Sequence, residues 1–192
     1  MEFTEMLQKR RMVRSFAARP LDPSVVEAVL AAGLRAPSAG FTQGVDLLVL
    51  QGPGETARYW DAALPEDRRG AFPWPGLLSA PLLVVVLSSE EAYRRRYDEP
   101  DKGISELCVP WWHVDAAFTA LLLQLAAVDA GLGALFFRTH GEPALRRSFG
   151  IPGPFTPVGT VAVGHPAPDR VSSSVVARPR RPAAEVIHRG RW

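Results

Sequence analysis

Three short stretches carry the side chains best suited to hold an anionic ligand, and they lie far apart in the chain. In RRMVRSF, residues 10–16, Arg10 and Arg14 are four apart, so on a helix end they project to one side. A guanidinium suits a phosphate because its planar fork donates two parallel hydrogen bonds. A solvated basic face would carry the same pattern. In RAPSAGFTQG, residues 35–44, Pro37 stops a helix, and Ser38, Ala39 and Gly40 make a tight turn ahead of a strand. Small residues there let backbone N–H and C=O groups approach a flat ligand, although an ordinary helix-to-strand connection reads the same way. In ARPRRP, residues 177–182, Arg178 and Arg180 share one side of an extended strand. Taken alone, that stretch is a charged tail.

Other chemistries find little support. His113, His140, His165 and His188 are scattered without ligand spacing, so no metal site is expected. No G-x-S-x-G elbow marks a hydrolase. No G-x-G-x-x-G follows a strand, which makes any nicotinamide a diffusing co-substrate rather than a Rossmann ligand. The lone Cys108 excludes an intramolecular disulfide and reads as a buried small residue. Asp115, near the start of a long apolar helix, reads as a capping group. The charged stretch 90–107 reads as a mobile surface excursion. Its Tyr97 and Lys102 either stack on and pair with an anionic substrate or simply face water. Trp111, Trp112 and His113 either wall a flat pocket or pack in a core or interface.

The elements that must position these groups follow from periodicity and punctuation. A first helix runs to about Lys9. A second starts at the Asp22 N-cap with Pro23 at its first position and buries Val26, Val29, Leu30, Gly33 and Leu34 on one face. Strands are expected at 45–51, 82–88, 134–137 and 159–164, the second apolar on both faces as in the middle of a covered sheet. Helices are expected around 55–60, over 111–130 (buried on most sides) and over 142–149, the last closed by Gly150. Alternating helices and strands mean helices packed on a sheet. The 28 or so residues after the last strand hold many prolines and no amphipathic helix, so they are either disordered or packed on a partner subunit.

Bulk properties agree with one globular domain over 1–192: 47% of residues are hydrophobic and 22% charged, unlike a disordered chain. The net charge is only +2, and its excess is local, with Arg178, Arg180, Arg181, Arg189 and Arg191 in the last fifteen residues. No helix-turn-helix, zinc-finger or RNP-type pattern accompanies them, so no nucleic-acid partner is expected. The span 111–130 approaches membrane-crossing length but contains His113, Asp115, Thr119, Gln124 and Asp129, too many polar groups for a lipid-facing helix. No apolar leader opens the chain, so a cytoplasmic location is expected.

In order and spacing, the motifs resemble the nitroreductase family. The opening KRRMVRSFAARPLDPSVVEAVLAAGLRAPSAGFTQG is similar to its basic RR-x-x-R-x-F segment, helix and APS-x-x-x-x-Q turn. VDAAFTALLLQLAAVDAGLGALFF resembles its core helix, GLG turn and strand, and GTVAVGHPAPD with RPRRPAAEVIH resembles its last strand and tail. The resemblance covers nearly the whole chain. It implies an α+β fold, a mostly antiparallel sheet flanked by helices, with a C-terminal arm wrapping the partner of a homodimer. It further implies bound FMN at the dimer interface, with NADPH or NADH as co-substrate. Arg10 and Arg11, joined by Arg178 and Arg180, match positions that grip the phosphate and ribityl chain. Arg14 matches the residue beside the pyrimidine edge that tunes the flavin. Pro37, Ser38, Ala39 and Gln43 match the turn reaching the flavin from the other subunit, and Phe137 and Arg138 match the strand end against the ring. Met12 stands where the family often has Ser, and Phe41 where it usually has Asn; both positions belong to the cofactor shell. Phe41, Tyr97, Lys102 and Trp112 are the substrate-pocket candidates. The implied activity is NAD(P)H-driven, ping-pong reduction of a flat small-molecule electrophile such as a nitroaromatic or quinone. The alternatives are an oxidative flavoenzyme, a dehydrogenase or desaturase on a biosynthetic intermediate, and a non-catalytic flavin-binding or storage protein.

Overall fold

The computed structural model describes residues 2–103, 107–169 and 177–192. Its elements in chain order are α1 (Phe3–Lys9), α2 (Pro23–Gly33), β1 (Val45–Gln51), α3 (Gly52–Ala63), α4 (Glu66–Arg69), β2 (Leu82–Ser88), α5 (Glu90–Tyr97), α6 (Trp111–Asp129), β3 (Gly133–Phe137), α7 (Glu142–Phe149) and β4 (Thr156–Gly164). Four strands form one antiparallel sheet in the order β1-β2-β4-β3. The expected α+β architecture is therefore the observed one.

Every residue of β2 is buried, and alternation divides its side chains between two cores. Leu83, Val85 and Leu87 face a layer made by Tyr59 and Trp60 of α3, Leu77 and Leu145 of α7. Leu82, Val84 and Val86 face Val26 and Val29 of α2 and Ala116, Ala120 and Leu123 of α6. The two apolar faces of β2 thus require helices on both sides of the sheet. Asp22 caps α2 as expected, its carboxylate accepting from the Ser24 N–H at 2.8 Å.

Several sequence readings change. Residues 10–16 are extended rather than helical: α1 ends at Lys9, Met12 bridges to Ala134 beside β3, and Phe16 bridges to Pro166. Val13 and Phe16 are buried. Arg10, Met12 and Arg14 stay exposed or half-exposed, and the backbone of the segment is extended rather than helical. The 90–107 stretch is not a plain surface excursion, because α5 forms there and buries Tyr93 completely. Cys108 is exposed, not buried. Among its own residues α6 is buried along one side only, leaving Ala117, Phe118 and Leu121 in the open. By length and composition α6 is long and apolar enough to cross a membrane; here it packs against α2 and the sheet.

Candidate functional site

The two groups of expected site residues occupy opposite edges and opposite faces of the sheet. At the β3 edge, Arg14, Phe137 and Arg138 line a cavity of about 640 Å³ together with Tyr59, Trp60, Arg68, Phe72, Trp74 and His140. At the β1 edge, Pro37, Ser38 and Gln43 line a smaller one of about 280 Å³ with Asp115 and Thr119. Edge strands three spacings apart are separated by roughly 14 Å.

The β3-edge cavity is aromatic and basic. Trp60 stacks on Phe137 with ring centroids 5.8 Å apart and planes at 10°, and Tyr59 meets Trp60 edge-on at 5.0 Å. Arg14 lies over the Trp74 ring at 4.9 Å, and its backbone N–H donates to the Asp169 carboxylate at 2.8 Å. Tyr59 is held by Thr160 at 2.9 Å, and burial pushes its hydroxyl up to about 12 despite that hydrogen bond. Among the described residues no aspartate or glutamate lines the cavity. Arg10 and Arg11 lie outside its lining, Arg11 in a separate small cavity of about 200 Å³ with Lys9, Val13 and Pro166, and neither pairs with a carboxylate among the described residues. Guanidinium groups without acid partners next to a flat aromatic slot suit a planar group that carries an anion, as FMN does. Met12, 37% exposed beside them, brings a thioether with no N–H or O–H to donate.

The β1-edge turn is held by a buried carboxylate. Asp115 does not cap α6, whose N-cap is Pro110; it accepts from the Ala39 N–H at 2.8 Å and the Tyr93 hydroxyl at 2.7 Å. Burial first, and donation to Asp115 second, raise the Tyr93 hydroxyl well above the phenol range. Ser38 Oγ accepts from the Gln43 N–H at 2.8 Å, and Arg96 donates to the Gly40 carbonyl at 2.9 Å. These ties keep Gly40, Phe41 and Gln43 in the left-handed region, at φ 62°, 53° and 54°. Phe41 is 76% exposed at the tip. Tyr97 and Lys102 lie over Gly40, where an added Cβ would stand 3.1 Å and 3.5 Å from them. Trp112 sits under Arg94, at 5.7 Å. All four substrate-pocket candidates therefore belong to the neighbourhood of α5, the start of α6 and this turn, not to the β3-edge cavity. Arg178 and Arg180 are exposed on the tail, which forms no strand among its described residues.

Sequence reasoning missed Trp60, Arg68, Phe72, Trp74 and His140 in the cavity, and Tyr93 and Arg96 behind the turn. The periodicity of α3 marks Trp60 as inward-facing, but its pairing with Phe137 spans 77 positions and leaves no local trace.

A sequence model of the Nitroreductase family matches residues 7–165. The chain belongs to the nitroreductase family. An NADPH-dependent oxidoreductase of Staphylococcus aureus (strain USA300) is 25% identical over 97% of this chain and 72% of its own length. Among solved structures, a nitroreductase family protein from Streptococcus pneumoniae TIGR4 superposes with a TM-score of 0.75 at 18% identity, covering 98% of this chain and 100% of that one. An FMN-dependent nitroreductase from Clostridium difficile R20291 superposes at 0.70 with 17% identity, covering 99% and 100%. The fold is thus nitroreductase-like throughout.

Proposed function

We propose that this chain is an FMN-dependent, NAD(P)H-driven oxidoreductase that works as a homodimer with a flavin at each end of the interface. The observation that carries the reading is the separation of the two residue groups. Arg14, Phe137 and Arg138 lie roughly 14 Å across the sheet from Pro37, Ser38 and Gln43, too far for one ligand to meet both sets within one chain. A two-fold pair lets the turn of one copy complete the basic cavity of the other. An apolar surface supports such pairing: Phe118 and Leu121 of α6, with Phe3 and Leu7 of the α1 helix packed along it, are all exposed.

Arg10 and Arg11, with Arg178 and Arg180 from the tail, would hold the phosphate of FMN, while Phe137 and Arg138 would lie against its ring. FMN, when bound, supplies hydride acceptance from a nicotinamide and onward reduction of a flat acceptor such as a nitroaromatic or quinone. Arg14 contributes a fixed positive charge beside the ring's electron-accepting edge and is itself oriented by its backbone bond to Asp169 and by the Trp74 ring. Trp60 and Phe137 exclude water from the slot. The names of the Staphylococcus and Clostridium relatives support NADPH and FMN in these roles.

The test is a visible absorption spectrum of the purified protein, taken before and after anaerobic NADPH and then NADH. A flavin spectrum that bleaches and recovers on adding a quinone is the expected result. A protein that takes up no FMN refutes the proposal, and bound flavin that neither nicotinamide bleaches refutes its reductive direction. Arg14→Ala is expected to slow bleaching while the flavin stays bound.

A further inference from the structure

The β3-edge cavity extends past the residues that face the flavin in this reading. Ala62, Ala63 and Leu64 at the end of α3, Pro65, and Arg68 of α4 wall one end, with His140 and Gly141 ahead of α7. Gly141, at φ 65°, lets the backbone approach the Ala62 carbonyl so closely that any Cβ would collide with it. Two segments far apart in the chain, at Ala62 and Gly141, are thereby held together as the rear of the cavity.

Two features of that end point to one ligand chemistry. Among the described residues Arg68, Arg138 and His140 line it, no carboxylate does, and none of the three has an acid partner. The nearest acid on α3, Asp61, is taken by Arg69, which also donates to the Leu64 carbonyl at 3.1 Å and so ties α4 to the end of α3. The wall beside them is apolar: Ala62, Ala63, Leu64 and Phe72 line it, Phe72 tilted against Trp60 at 6.4 Å.

We infer that this end of the cavity is a subsite for an aromatic carboxylate, with the ring along the apolar wall of Ala62, Ala63, Leu64 and Phe72 and the acid at Arg68 and His140. The flat acceptor is thus an aryl acid rather than a neutral ring. The assignment rests on the flavin reading above for the identity of the acceptor, but the subsite itself stands on Arg68, whose element α4 carries none of the flavin-directed residues.

The experiment titrates para-nitrobenzoate and para-nitrobenzamide into the FMN-loaded protein, followed by quenching of tryptophan fluorescence, for the wild type and Arg68→Ala. FMN affinity is measured separately by flavin fluorescence. Because Arg68 is exposed, its replacement leaves the fold intact. The wild type is expected to bind the acid about fivefold more tightly than the amide, the scale of a solvent-screened charge pair. Arg68→Ala is expected to lose that preference with FMN affinity unchanged, and Arg68→Lys to retain part of it. Equal binding of acid and amide by the wild type overturns the inference, as does a preference that survives in Arg68→Ala. A parallel loss of FMN in Arg68→Ala also overturns it, since the cavity end would then be the cofactor's own seat. If the wild type takes up no FMN, the flavin reading fails, yet the acid preference and its dependence on Arg68 are still read in the unloaded chain.

Discussion

Replacing Tyr93 with Phe removes one hydroxyl and nothing else from the support of the β1-edge turn. The ring stays packed against Gly44, where an added Cβ would stand 2.6 Å from it. Asp115, 3% exposed, keeps only the Ala39 N–H of its two donors. A lost hydrogen bond to a buried charged group costs about 2 kcal/mol. For a domain of this size each kcal/mol moves the midpoint by about 2–4 °C, so the variant is expected to melt about 4–8 °C lower. The loss is also local. Phe41 and Gln43 sit at φ 53° and 54°, and such left-handed residues cost on the order of 1 kcal/mol each, sustained only by the surrounding ties. Amide exchange over residues 38–44 is therefore expected to accelerate more in Tyr93→Phe than exchange in β2 and β4. Thermal unfolding by circular dichroism and hydrogen exchange by mass spectrometry measure the two effects. A midpoint shift below about 1 °C, with unchanged exchange across the turn, would show that the Tyr93–Asp115 bond contributes nothing to holding it.

Two further outcomes follow from burial. In the unfolded chain Tyr59 and Tyr93 ionise near pH ~10, whereas in the fold burial pushes Tyr59 up to about 12 and Tyr93 higher still. Both raised values favour the neutral phenol in the folded state, so their contribution is complete below pH ~10 and is lost as the pH climbs toward the folded values. Denaturant midpoints should fall steeply over that window, and less steeply in Tyr59→Phe; a flat profile would contradict the burial of both hydroxyls. Phe118, 43% exposed on α6, can take a charge without disturbing the core, so Phe118→Glu is expected to give a folded monomer by sedimentation and to lose bound FMN. A dimer that persists with flavin bound would place the interface elsewhere.

Much of the fold was legible because its signals are local. Asp22 and Pro23 open α2, Gly150 in the left-handed region closes α7, and the unbroken apolar run 82–88 announces a central strand. The misread parts share one cause, which is that a distant partner outweighed local character. Charged 90–97 became a helix because Tyr93 finds Asp115 and the Gly44 backbone region, and Arg96 finds Gly40. The four-residue spacing of Arg10 and Arg14 resembled a helix until the Met12–Ala134 bridge drew the segment out along β3.

The sequence by itself determined most of the elements, the family and the types of side chain available for an anionic, flat ligand, because caps, periodicities and motif order are written over short stretches of chain. Only the tertiary structure decided where those side chains stand. It sent Arg14 and Phe137 to one sheet edge and Ser38 to the other, stacked Trp60 on Phe137, and gathered Arg68 and His140 around a cavity without carboxylates. Those placements depend on the strand order β1-β2-β4-β3 and on packing between residues dozens of positions apart, which no local pattern encodes.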